Sequence, residues 1–172
     1  MNQLKIIILS LILTACSFPQ FSFKSGGSET KEIDAETVQV DYFDNKSAIG
    51  GPFLGASFTE SLRDIMQAQT KLNLVAKNGD LQVSGIIKNY LISPVNIQAG
   101  SESAAQNRLK MSVSVDTYYK KNDSIGLNNS LFSAFVDYNA SSDFTNVEEE
   151  LVENLNYQIT QDIFDKIFGG EW

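Results

Sequence analysis

Between Leu109 and Thr117 the chain alternates without interruption. Leu109, Met111, Val113, Val115 and Thr117 are separated by Lys110, Ser112, Ser114 and Asp116. In an extended chain successive side chains point to opposite faces, so this segment predicts a strand with one buried and one wet face. That constrains the fold strongly, because a half-buried strand needs partners beside it and a layer on one side. Two flanking segments carry the same pattern. Leu81, Val83, Gly85, Ile87 and Leu91 alternate with Gln82, Ser84 and Lys88, and Phe132, Ala134, Val136 and Tyr138 form a third series. Pro94 ends the regular part of the first of these strands or places it at a sheet edge. Polar stretches from Gln98 to Asn107 and from Lys120 to Asn129 connect the three.

The remaining elements supply the layer. Thr37 to Phe43 alternates, with Val38, Val40 and Tyr42 on one face, and reads as a further strand. Leu54, Phe58, Leu62 and Ile65 follow at helical spacing behind Gly50-Gly51-Pro52, with proline well placed for a helix start. Ser57 and Glu60 offer a second possible start at capping-box spacing. Leu72 and Leu74 begin a short extended piece, and Asn78-Gly79-Asp80 is a turn. In the C-terminal segment Val147, Leu151, Leu155, Ile159, Ile163 and Ile167 recur every fourth residue until Gly169-Gly170. Thr145 with Glu148 has capping-box spacing there, and Glu148 to Glu150 fall where the helix dipole favours anions. The expected fold is α+β: a two-layer sandwich, with a mixed or antiparallel sheet of about four strands and two helices on one face, in the order β-α-β-β-β-α.

The N-terminus is of another kind. Lys5 precedes an apolar run from Ile6 to Leu13, broken only by Ser10, and the run ends at Leu13-Thr14-Ala15-Cys16. Its length fits a secretory h-region of about 7–15 residues and falls short of the ~20 of a spanning helix. The tetrad resembles the lipobox of bacterial lipoproteins, which implies a signal peptide over 1–15 and a mature, acylated Cys16. The alternative is an ordinary signal whose cleavage site adjoins a free cysteine. Residues 16–34, with Phe18, Phe21 and Phe23 among Ser, Gly and Lys, read as a tether that reaches roughly 60 Å when extended. Ser17, by resemblance to enterobacterial lipoproteins, directs the anchor to the outer membrane. Residues 35–172 form a single domain.

Composition narrows the chemistry. The formal charge is −8, so a broad nucleic-acid interface is not expected. Histidine is absent and Cys16 is the sole cysteine, which removes Ser-His-Asp and Cys-His catalysis and the usual metal ligands. No enzyme activity, metal or cofactor is expected. Glu148, Glu149, Glu150 and Glu153 read as helix-start charge rather than a calcium site.

Several stretches, in this order and spacing, carry a resemblance: Val38-Gln39-Val40-Asp41-Tyr42-Phe43, Phe58 to Asp64, Gly79 to Gly85, Ser93-Pro94-Val95, Gln106-Asn107-Arg108-Leu109 and Val147 to Leu151. Together they resemble the LptE family of lipopolysaccharide-assembly lipoproteins, from the lipobox to Trp172. The resemblance implies an outer-membrane lipoprotein facing the periplasm and a barrel lumen. It would bind and plug an LptD-type β-barrel, assisting barrel assembly and lipopolysaccharide insertion. The competing reading is a periplasm-facing lipoprotein that scaffolds another envelope or secretion complex. For lipid A phosphates the candidate residues are Arg108 and Lys110, with Asn107 and Lys88 as companions; the plain alternative is a solvated arginine and a wet-face lysine. Asp123-Ser124-Ile125 resembles an O-glycosylation acceptor at Ser124.

Overall fold

The computed structural model describes residues 33–95, 105–121 and 126–169. The signal peptide, Cys16, the tether up to residue 32, Ser124 and Trp172 lie outside the described residues. Eight elements follow one another: β1 (Thr37–Val40), β2 (Asp44–Asn45), α1 (Gly51–Gln69), β3 (Asn73–Leu74), β4 (Leu81–Val95), β5 (Gln106–Tyr119), β6 (Ser130–Asn139) and α2 (Phe144–Phe168). They form one six-stranded sheet in the order β3-β1-β4-β5-β6, with β2 also on β4. β4, β5 and β6 are antiparallel neighbours, whereas β1 lies parallel to both β3 and β4. Parallel neighbours need a crossover, and α1 supplies it between β1 and β3. The α+β class and the two helices are as expected; the sheet has six strands rather than four, because two short ones flank α1.

One face of the sheet makes the core. Val38 and Val40, Leu81, Val83 and Ile87, and Leu109, Met111, Val113 and Val115 are all buried there. Leu54, Phe58, Leu62 and Met66 from α1 cover them, with Leu151, Leu155, Ile159 and Ile163 from α2. Each such side chain contributes about 1.5–3 kcal/mol through removal from water.

Two register events depart from simple alternation. From β1 to β2 the chain advances from Val40 to Asp44 while β4 advances only from Val83 to Ile86. The extra residue inverts the faces, so Tyr42 is exposed and Phe43 is fully buried, opposite to the expected pattern. Gly85 leaves the space that the Phe43 ring fills, and Phe43 N–H donates to Thr59 Oγ1 at 3.0 Å. In β4 the register shifts between Ile87 and Asn89. A bulge of this kind moves every later side chain to the other face. Tyr90 therefore enters the core and Leu91, expected inside, is exposed. Burial, with Glu148 accepting its hydroxyl proton at 3.0 Å, raises the Tyr90 pKa above its usual value.

The helix starts differ in detail as well. Gly50, in the left-handed region at φ 87°, precedes α1, and Pro52 lies in its first turn. Ser57 and Glu60 sit inside the helix. In α2 the cap is Asp143, whose Oδ1 accepts from Thr145 N–H at 3.0 Å, so Thr145 is already helical. No acidic residue occupies the first turn of α2, so the dipole account of Glu148 to Glu150 does not hold. A second row on α2, Val152, Asn156 and Thr160, is buried too. Asn156 Nδ2 donates to Ser57 Oγ at 2.9 Å across the helix pair, and its Oδ1 has no partner among the described residues.

Candidate functional site

Both helices lie on one side of the sheet, so the other face carries the residues available to a ligand or partner. Pairing fixes its rows. Ser93, Arg108 and Asp137 form one; Leu91, Lys110 and Phe135 the next; then Asn89, Ser112 and Ser133; then Ile86, Ser114 and Leu131. The face is not uniformly wet. Ser112 and Ser114, expected in water, are 4% and 2% exposed because they lie on the strand flanked on both sides. Their hydroxyls are satisfied within the face: Ser133 Oγ bonds Ser112 Oγ at 2.8 Å, and Ser114 Oγ donates to Asn129 Oδ1 at 2.6 Å.

The four basic-site candidates separate on this geometry. Arg108 meets Asp137 in a two-pronged ion pair, Nε to Oδ1 at 2.7 Å and Nη2 to Oδ2 at 2.8 Å. Its guanidinium also lies 3.8 Å from the centre of the Phe135 ring. The hydrogen bonds to Asp137 hold the Arg108 pKa above its usual value, and those from Arg108 hold Asp137 below the ordinary carboxylate range. Arg108 is thus already matched by an anion. Lys110, in the adjacent row, is exposed and makes no ion pair among the described residues.

Lys88 occupies the bulge, and its Nζ donates to Asn129 Oδ1 at 2.9 Å, the same oxygen that Ser114 uses. Asn129 adopts a positive φ of 46°, and its N–H donates to Asp116 Oδ1 at 2.7 Å. Lys88 therefore belongs to a network that pins the start of β6. Ser114, which shares that network, is four residues from Lys110 along β5, about 13 Å at ~3.3 Å per residue. Asn107 pairs with Pro94 and Tyr138, which puts it on the helix-bearing face, away from the other three.

What individual residues did not reveal is the apolar share of this face. Leu91, Leu131, Phe135 and Tyr118 are all exposed on it. Leu131 precedes Phe132 and Phe135 stands between Ala134 and Val136 in sequence, and only the β5–β6 register separates the two sets. A shallow groove of about 430 Å³ opens at the far end, lined by Asp41, Gln82, Ser84, Asp116 and Tyr118 with Gly126 to Asn128. Among the described residues there is no cluster of Cys, Asp and Glu able to hold a metal, and no helix long and apolar enough to cross a membrane. The face offers cations, hydroxyls and apolar side chains, which is equipment for binding.

Solved structures share the architecture. A Helicobacter pylori protein described as a neuraminyllactose-binding hemagglutinin homolog superposes with a TM-score of 0.52 at 10% identity, covering 82% of this chain and 87% of that one. Protein CT253 from Chlamydia trachomatis gives 0.50 at 9% identity, covering 77% and 95%. Rare lipoprotein B from Shewanella oneidensis gives 0.47 at 12% identity, covering 75% and 92%. At these identities the likeness concerns the fold alone. No curated protein matches the chain. The LptE family, described as Lipopolysaccharide-assembly, matches residues 35–167, which spans every strand and nearly all of both helices. The chain belongs to the LptE family of lipopolysaccharide-assembly proteins.

Proposed function

We propose that this protein is an outer-membrane lipoprotein, anchored through acylated Cys16, that seats within an LptD-type β-barrel and assists both its assembly and lipopolysaccharide insertion. The observation that carries this reading is the family match across 35–167. The helix-free face supports it physically. A large barrel has a polar lumen, and rows that mix Ser, Lys, Asn and Asp with isolated apolar side chains suit such a wall. Lys110 is the cation on that face best placed to meet an anionic headgroup, since Arg108 is already matched by Asp137. The role is one of binding and support and asks for no reactive side chain.

Affinity purification of the full-length protein from detergent-solubilised envelopes, joined to its depletion in the same cells, tests the proposal. One large β-barrel should accompany the protein through non-covalent contacts. That barrel, and lipopolysaccharide at the surface, should fall when the protein is depleted. Recovery without any barrel, or depletion that leaves barrel and surface lipopolysaccharide unchanged, would overturn it.

A further inference from the structure

Three adjacent rows of the helix-free face hold Ser93, Arg108 and Asp137, then Leu91, Lys110 and Phe135, then Asn89, Ser112 and Ser133. The charged residues in these rows are Arg108, Lys110 and Asp137, so the spot is net positive on a chain of formal charge −8. Arg108 and Lys110 are two residues apart on β5, about 6.6 Å at ~3.3 Å per residue, and share one side of the strand. Both side chains are long, so one phosphate group can meet the two together. Asp137 stands in its way, holding Arg108 by two hydrogen bonds of 2.7 and 2.8 Å.

That hold is limited in strength. The two side chains are 37% and 28% exposed, and an ion pair that water and salt can reach is weak. Asp137 does have one advantage over a dissolved anion: β6 carries it to Arg108, so it gives up no translational freedom on pairing. A singly charged group, whether a carboxylate or a phosphate diester, satisfies Lys110 and offers Arg108 less than Asp137 does. A phosphate monoester differs, with about −1.5 to −2 charges at neutral pH and three acceptor oxygens. It can replace the carboxylate at Arg108 while remaining on Lys110. Phe135 keeps the guanidinium on the face during the exchange, because its ring lies 3.8 Å from that cation whatever Asp137 does. The displaced carboxylate turns to solvent and leaves no buried charge behind.

We infer that Asp137 holds Arg108 in reserve, so that the face meets singly charged headgroups through Lys110 alone and phosphate monoesters through Lys110 and Arg108 together. The inference deepens the proposed function and rests on its premise that an anionic headgroup visits this face. Exposed Leu91 and Phe135 flank Lys110, which points to the headgroup of an amphiphile rather than to dissolved phosphate. Asp137 is a positioning residue in this scheme: it touches no ligand and acts through Arg108.

Lipid binding by the full-length protein tests this, in neutral-detergent micelles and mildly alkaline buffer. The micelles carry phosphatidic acid, a monoester, or phosphatidylglycerol, a diester with the same acyl chains. Asp137→Asn should tighten binding of both lipids by roughly threefold or more, because Arg108 is released. Arg108→Gln combined with Asp137→Asn removes the whole pair and leaves the local net charge as it was. That double variant, with unchanged circular dichroism, should bind the monoester several-fold more weakly and the diester as the native protein does. Lys110→Gln should weaken both, and inorganic phosphate should compete poorly with micellar phosphatidic acid. Asp137→Asn that weakens the monoester would make Asp137 a support for Arg108 and overturns the inference. A double variant that treats the two lipids alike overturns it too, as does a native protein that binds neither lipid. Inorganic phosphate that binds as well as phosphatidic acid overturns the choice of an amphiphile. Recovery of the barrel reports on the proposed function separately from all of these.

Discussion

A β-carbon on Gly85 would fall 2.5 Å from the edge of the Phe43 ring and against the carbonyl oxygen of Ser114. Neither neighbour can yield easily: one belongs to the β5 backbone, and the other is fully buried with the Phe58 ring tilted against it, 5.1 Å between ring centres. Gly85→Ala should therefore lower stability by about 2–3 kcal/mol, measured by urea unfolding, without changing the exposed surface. A loss below about 0.5 kcal/mol, the usual range of a surface change, would contradict the packing account. The site candidates illustrate what single residues reveal. Lys110 is where its alternation placed it, outward and exposed. Arg108 was readable as a strand-start cation, but its match with Asp137 depends on a cross-strand register that no local pattern encodes. Asn107 lies on the helix side for the same reason: it is one step out of phase with its neighbours.

The edge of an element can be held by one side chain, and β1 shows how. Asp80, in the turn before β4, accepts from Thr37 Oγ1 at 2.7 Å, from Thr37 N–H at 3.1 Å and from Glu36 N–H at 3.2 Å. Its own N–H donates to Thr37 Oγ1 at 2.9 Å. The Thr37 hydroxyl foremost, then the Glu36 N–H, holds the Asp80 pKa below its ordinary 3.8. Because the folded value is the lower one, the clamp is fully present above pH 3.8 and is lost as pH falls through the folded value. Thermal unfolding across pH should show Asp80→Asn less stable than the native protein at neutral pH, with the gap closing in acid. A gap that stays constant into strong acid would rule out the carboxylate as the clamp. Legibility at this scale has a clear boundary. Long strands and helices were readable because their periods persist over many residues. The extra residue before Phe43 and the bulge at Lys88 were not, since each inverts a pattern without any glycine or proline to mark it. Helix starts followed the same rule: Pro52 was a true marker, whereas Asp143 was obscured by the capping-box spacing of Thr145 and Glu148.

For the whole molecule, class and element order came from periodicity and family from the ordered stretches between Val38 and Leu151. In the proposed function the anchor is Cys16. Each acyl methylene buried in a bilayer contributes about 0.8 kcal/mol, so several chains on that one residue would hold a domain in which no described helix is long and apolar enough to cross a membrane. Cys16→Ala should move the exported protein from the membrane pellet to the soluble fraction on cell fractionation, with the domain still folded. Continued pelleting would locate the attachment elsewhere. The brevity of β2 and β3 has a further consequence for life in a crowded envelope. Because β2 ends at Asn45, β4 continues from Lys88 to Val95 with β5 as its only strand neighbour among the described residues, a margin on which exposed Lys88 and Pro94, which has no N–H to donate, hinder the docking of another strand. Hydrogen-bonded growth from this side is thereby discouraged by chemistry that a longer β2 would have made unnecessary.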